Sequence, residues 1–503
     1  VLFNSYIFLF AFLPAALSGY FLAGRLGRRA AAVWLLGASF VFYGWWNPAF
    51  LPVLLVSIAF NYAASEVILR VASRPGWQAG LLAGAIATNI SALFYYKYLV
   101  AVLLFFGVSR PLPIALPLGI SFFTFTQIGY LVDVAQGVAK DRGLLSYMQF
   151  VTFFPHLIAG PILHNREIMP QFTSGAAVRF SASDFAVGSA IFIIGLLKKC
   201  LLADPTAAIA APGFAHPAAQ GFFSAWHAAL AYSLQLYFDF SGYSDMAIGL
   251  ARLFGIRFPL NFNSPYKAAC IIDYWQRWHM TLSRYLNLYL YNPVALAVAR
   301  HRIGRGRDAS RKAYRTAGGF AALVALPTMF TMFLAGIWHG AGLQFLVFGL
   351  LHAGYLTVNH AWRVFGPKAP AGGDVMWVHT GKIALTYVSV LVAAVFFRAS
   401  SCAAAMDLLG GMVGMHGLGV AAPAHEVIKS VAWLSVLYGI VWFMPNTQQI
   451  MRDYAPALGR IQAGPFPALV WRPSLPWAMA AGAGAALGVL ALGGTTEFLY
   501  FQF

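Results

Sequence analysis

Between Arg315 and Arg363 the chain contains no Lys, Arg, Asp or Glu. One bilayer crossing takes roughly 20 apolar residues, so this stretch alone has the length to cross twice. In lipid every backbone N–H and C=O must find its partner inside the protein, which leaves only helices or closed barrels. The period-2 alternation of barrel strands is absent. The rest of the chain repeats the pattern, with 60% of its 503 residues hydrophobic and 10% charged. The expected fold class is therefore an all-α polytopic membrane protein. Its candidate spans run roughly 3–24, 31–48, 50–69, 79–96, 98–109, 114–134, 185–202, 222–240, 316–338, 343–362, 380–397, 427–444 and 476–493. Residues 146–162 read as a partly buried or re-entrant segment. The first apolar segment is long and lacks a basic leader, so no cleavable signal peptide is expected.

His339 sits inside the charge-free stretch, beside Trp338 and the small residues Gly336, Gly340, Ala341 and Gly342. An ionisable side chain at that depth is costly and is expected inside the protein or along a water-filled cavity. Either it is a reaction centre, or it is a packed histidine donating to a backbone carbonyl.

The net charge of +18 does not imply nucleic acid, because the cations occupy loops between apolar spans. Arg25, Arg28 and Arg29 share one loop, and Arg70 and Arg74 another. Arg300, Arg302, Arg305, Arg307, Arg311, Lys312 and Arg315 form the densest cluster. The positive-inside rule places these loops in the cytoplasm and the amino terminus outside. The same loops have the charge to hold anionic lipid headgroups or a polyphosphate donor. Cys200, Cys270 and Cys402 are far apart and show neither metal-ligand nor redox spacing. With no long-period repeat, the chain reads as one membrane domain, 1–503: N-terminal helices to 140, a more polar core over 141–400, and extra helices over 401–503.

Four polar clusters interrupt the apolar background. Pro155 and Pro161 bracket His156, which suits a short broken helix lining a cavity. Asp239, Ser241, Tyr243, Ser244 and Asp245 gather at the expected end of a span. Those carboxylates either orient an imidazole or a substrate hydroxyl, or cap the helix. Asp273 and Arg277 lie four apart on one helical face, the spacing of an internal ion pair. His279 follows Trp278 on another face, and Arg277 also has the chemistry to hold a phosphate. The fourth cluster is Trp338-His339-Gly340, with Gln344 and His352 beyond it. No carboxylate or cysteine stands at metal-ligand spacing from the histidines. No nucleophile elbow, phosphate loop or dinucleotide fingerprint occurs either. What remains is acid–base chemistry centred on histidine; such a base can deprotonate a hydroxyl while a bound thioester is attacked directly.

At these clusters the chain resembles the membrane-bound O-acyltransferase family, in particular its alginate-acetylating branch. The matching stretches are Leu2-Phe-Asn-Ser-Tyr6, Phe153–Pro161, Tyr237–Phe254 and Pro259-Leu-Asn-Phe-Asn-Ser-Pro-Tyr266. They continue with Asp273–Ser283, Trp338-His-Gly340 and Phe501-Gln-Phe503. The resemblance implies a fold of about 11–14 membrane helices with re-entrant segments around a central funnel or tunnel. It also implies two essential histidines. His339 is the implied base, and His279, in an Arg-Trp-His helix, lies near the cytoplasmic mouth. Asp239, Asp245, Trp278, Trp338, Arg277, Asp273 and His156 are the expected supporting or substrate-binding residues. No bound cofactor or metal is implied. The implied donor is acetyl-CoA, and the implied partners are periplasmic acceptor proteins that modify an exported polysaccharide, alginate first among them. A multi-pass protein of the bacterial inner membrane follows. The same family acts on cellulose, peptidoglycan or teichoic acid. A polysaccharide transporter or flippase is the rival from another class, but inverted repeats, its usual sign, are not seen. A scaffold for an export complex would leave the buried charges and histidines without a purpose.

Overall fold

Apolar runs of bilayer length become helices because only a helix satisfies their backbone without water. The computed structural model describes residues 2–108, 113–174, 178–367, 375–419, 423–493 and 499, so the Phe501-Gln-Phe503 ending lies outside the described residues. Among them, eight helices are long and apolar enough to cross a membrane. These are Phe8–Leu26, Pro48–Arg70, Pro75–Lys97, Ala182–Ala215, Ala317–His339, Met376–Arg398, Ala424–Phe443 and Leu475–Gly493. Three more helices have comparable length but a more polar composition: Arg28–Trp46, Phe222–Leu253 and Leu343–Phe365. The chain is an all-α multi-pass membrane protein.

Several expected spans change shape. The segment expected at 98–109 forms only Leu99–Phe105, seven residues that cannot cross a bilayer. The 114–134 segment begins later, as Ile120–Ala135, because Gly119 turns the chain through a left-handed φ of 71° first. The 146–162 stretch is buried almost throughout and splits into Leu144–Thr152 and Phe154–Leu157. Pro155, whose ring would clash with the carbonyl four residues before it, prevents a single helix there.

The chain folds as two compact units. The first comprises Val1–Leu201, Asp239–Leu260 and Pro445–Gln502, and the second Leu202–Phe238 and Asn261–Met444. Within the first, the Ala182–Leu197 helix meets the later half of the Phe222–Leu253 helix through four glycines. A Cβ on Gly188 would lie 2.8 Å from the Gly249 carbonyl, and one on Gly195 would lie 2.6 Å from the Gly242 carbonyl. Glycines seven apart lie two turns apart on nearly the same face, so the two backbones touch along their length. In lipid, such close approach supplies the packing that hydrophobic exclusion cannot. Hydrogen bonds add to it: the Asn61 and Asn89 amides bond reciprocally at 3.0 and 2.7 Å, and Gln127 donates to Ser57 at 2.8 Å.

The second unit is built on a helix hairpin, Leu326–His339 and Leu343–Phe365. Its arms also cross at glycine. A Cβ on Gly336 would lie 2.5 Å from the Phe345 carbonyl, and one on Gly349 would lie 2.5 Å from the Met332 carbonyl. Neither helix has slack at this crossing, which lies one turn before His339.

Candidate active site

His339 is the last residue of its helix, and the chain leaves it through an extended Gly340 (φ −172°). Gly340 is required by contact: a Cβ there would fall 2.2 Å from the Phe345 ring. The imidazole is 6% exposed and enclosed by aromatic rings. Trp338 lies 4.8 Å away, Phe397 5.1 Å and Phe348 5.7 Å, each nearer to edge-on than stacked.

The polar cluster holding His279 is not one helix, contrary to the helix that the resemblance implies. A short helix, Ile271–Trp275, ends; His279 takes a left-handed conformation (φ 43°, ψ 52°); a second helix, Met280–Leu286, starts after it. That conformation costs a non-glycine residue about 1 kcal/mol or more, so the surroundings must hold it. Asn261 does so. Its carbonyl accepts the Met280 N–H at 2.9 Å. Its side-chain oxygen accepts the Thr281 N–H at 3.3 Å, the Thr281 hydroxyl at 2.8 Å and the His279 Nδ1–H at 3.0 Å. Two residues on, the Asn263 N–H donates to the Arg277 carbonyl at 2.9 Å. The 261–263 segment therefore pulls this chain out of helix and aims the histidine.

Because the Thr281 backbone can only donate, the Asn261 atom facing it is the oxygen, and His279 must carry its proton on Nδ1. Its Nε2 then holds the lone pair. Burial pushes this imidazole down to about 3, so it is neutral at physiological pH. Replacing Asn261 by Leu removes these side-chain bonds, so an activity that uses this imidazole is expected to fall by about 10²-fold in kcat/KM, the order of loss that follows misplacement of a reacting group. Steady-state kinetics check it, and an undiminished rate would show that this orientation is not needed.

The supporting residues divide between the units. In the second, Arg277 Nε donates to Asp273 Oδ1 at 2.7 Å, the ion pair that their spacing predicts. Trp278 is stacked between Tyr266 (6.5 Å) and Tyr274 (5.9 Å), each at 12°. Trp338 is buried beside His339. Ring contacts continue from Tyr274 to His352 (6.2 Å), from His352 to Phe348 (4.7 Å) and from Phe348 to His339. Both histidine segments thus belong to one packed aromatic body.

In the first unit, His156 donates from Nε2 to the Phe150 carbonyl at 2.8 Å and is fully buried. It fastens the break between the two short helices there. Asp239 and Asp245 lie within a continuous 32-residue helix, Phe222–Leu253, rather than at the end of a span, so neither caps it. Each carboxylate faces a lysine at 2.6 Å: Asp239 meets Lys199 and Asp245 meets Lys198. Thr447 Oγ1 also donates to Asp245 at 2.6 Å.

Sequence reasoning missed Asn261, Lys198 and Lys199. The lysines had a visible signal, since two adjacent cations interrupt the expected span 185–202. Asn261 had a weaker one, in a Pro-flanked, Asn-rich run that excludes regular helix.

Comparison with known proteins gives a consistent picture. Residues 88–305 match the model of MBOAT, the membrane-bound O-acyltransferase family. The chain is 37% identical over 485 residues to a peptidoglycan O-acetyltransferase of Helicobacter pylori, covering 89% of this chain and 86% of that protein. It is 36% identical over 428 residues to a probable alginate O-acetylase AlgI of Azotobacter vinelandii, covering 82% and 78% respectively. A teichoic acid D-alanyltransferase of Streptococcus thermophilus is 26% identical over 249 residues, covering 49% of this chain and 57% of that protein.

Proposed function

Because the chain belongs to the membrane-bound O-acyltransferase family, we propose that this O-acyltransferase uses His339 and His279 to pass acetyl groups across the bacterial inner membrane. The donor is acetyl-CoA, reached from the cytoplasmic side, where the basic loops lie by charge. The acetyl group serves O-acetylation of an exported polysaccharide, through periplasmic acceptor proteins.

The observation that carries this reading is the paired set of buried imidazoles in one unit, with His279 held so that Nε2 keeps its lone pair. The chemistry needs no protein nucleophile. The acceptor hydroxyl oxygen attacks the thioester carbonyl carbon while an imidazole nitrogen takes the hydroxyl proton. The tetrahedral intermediate collapses, the carbon–sulfur bond breaks, and the thiolate takes up the proton. His339 is the base in this scheme. His279 accepts and relays a proton through its Nε2 lone pair on the donor side, and the surrounding aromatic rings exclude water that would hydrolyse the thioester.

Two polymers are supported by specific relatives. Alginate is favoured by likeness to several probable alginate O-acetylases at 34–36% identity. Peptidoglycan is favoured by the Helicobacter pylori protein, which aligns over a larger share of the chain. The test supplies acetyl-labelled acetyl-CoA to sealed vesicles carrying the protein, with periplasmic extract and each polymer in turn. Base-labile label on one polymer, dependent on the protein, is expected. Polymer that crosses the vesicle membrane without ever acquiring label would replace the transferase reading with transport.

A further inference from the structure

We propose that His352 is a positioning residue for acyl transfer, which holds the two histidine-bearing segments of the second unit in register by accepting the indole N–H of Trp275. This rests on His279 and His339 forming the reaction centre.

His352 is 1% exposed, in the middle of the Leu343–Phe365 helix. An imidazole buried among apolar residues must use its ring nitrogens or cost the fold their desolvation. Here Nδ1 receives the Trp275 Nε1–H at 3.3 Å. Accepting that bond requires a lone pair on Nδ1, so the ring is neutral and carries its proton on Nε2. The ring also lies nearly parallel to Tyr274 (8°) and edge-on to Trp275 (5.2 Å, 84°). Position 352 thus selects for a flat ring with an acceptor at one corner, a stricter demand than packing alone.

Each end of this bond leads to a catalytic candidate. Trp275 closes the short helix four residues before His279, and its carbonyl accepts the Ser283 hydroxyl at 2.8 Å from the helix after it. The Trp275 backbone therefore ties together both sides of the left-handed turn, while its side chain is tied to His352. On the other side, Phe348 lies one turn before His352 on the same helix and meets both rings. It is 4.7 Å from His352 and 5.7 Å from His339, edge-on to the latter at 90°. Gly349, beside Phe348, is locked backbone to backbone against Gly336. A helix pinned at that crossing has little freedom to absorb a shift at 352. The shift passes to Phe348, and from there to the imidazole of His339.

The test uses the full-length protein in lipid nanodiscs, with acetyl-CoA as the labelled donor and His352→Leu, His352→Asn, Trp275→Phe and the double variant Trp275→Phe/His352→Leu. Asn presents an acceptor oxygen near the place of Nδ1; Leu does not. His352→Leu and Trp275→Phe are each expected to lower kcat about tenfold or more through misplacement of the reacting groups. KM for the donor should stay within about twofold, because donor contacts are not removed. His352→Asn should keep kcat within about threefold of the parent, and the double variant should be no worse than the poorer single one, as for two halves of one interaction. Near-normal kcat for His352→Leu overturns the proposal. So does an Asn variant as impaired as Leu, or losses that multiply in the double variant. Should His352→Leu not be recovered folded, Trp275→Phe against His352→Asn decides the same point. A His339→Gln variant that still transfers acetyl would instead remove the reaction-centre reading. An inactive His339→Gln beside an active His352→Leu would remove only the role of His352.

Discussion

Replacing His339 by Gln is expected to reduce acyl transfer by about 10³-fold, within the range that a positioned proton acceptor supplies, while leaving insertion and thermal stability near normal. Gln is the informative substitution because it fills much of the space between Trp338, Phe348 and Phe397 and keeps hydrogen-bonding atoms. His339→Ala should be equally inactive, but it opens a cavity beside three aromatic rings and adds a packing loss. The measurement is single-turnover release of the free thiol from acetyl-CoA, alongside the melting temperature of the same preparation. A small loss of transfer, within about fivefold of the parent, would mean that the imidazole is only packed and that the base lies elsewhere. A large loss in both activity and stability for Gln would point the same way, to a structural histidine. Donor binding should survive in the inactive variant, since the reading gives His339 a proton to move and no hold on the donor.

This site was partly legible in the sequence, and the reasons differ by residue. His339 stood out because nothing charged lies between Arg315 and Arg363, so the cost of an embedded imidazole was visible without any fold. The Asp273–Arg277 pair was readable because its partners are four residues apart, a local geometry. The conformation of His279 was not readable. It depends on Asn261, whose bonds reach across 18 to 20 residues, a separation that local spacing does not report. The environment of Asp239 and Asp245 was misjudged for a related reason. A hydropathy profile ends the span near 240, where the carboxylates begin, but neutralising lysines on a neighbouring helix allow the helix to run on to Leu253. Periodicity reports what a segment does on its own face, whereas the functional geometry here is set by what another segment brings to it.

The largest expected effect on stability lies in that same ion-paired core of the first unit. Lys199 and Asp239 meet at 2.6 Å with side chains only 3% and 2% exposed, and the Leu499 N–H donates to the second carboxylate oxygen at 3.1 Å. The glycine crossing makes the pair possible: a Cβ on Gly242 would lie 3.1 Å from the Lys199 nitrogen of the backbone, so no side chain separates the two helices there. Burying both charges is costly, and their attraction roughly offsets that cost; removing one partner leaves the other uncompensated. Asp239→Leu alone is therefore expected to destabilise the protein by about 3–5 kcal/mol, whereas the double variant Lys199→Met/Asp239→Leu should recover most of that loss. Asp245→Leu should cost less, because its pair with Lys198 is 12–15% exposed and Thr447 shares the load. Denaturation of the detergent-solubilised full chain, followed by tryptophan fluorescence, measures these three variants and Lys199→Met alone. A double variant as unstable as the sum of its singles would refute the ion-pair account. A double variant that is stable but inactive would separate stability from function at Asp239, because stability would then no longer explain why a carboxylate is placed there, and a part in handling substrate would.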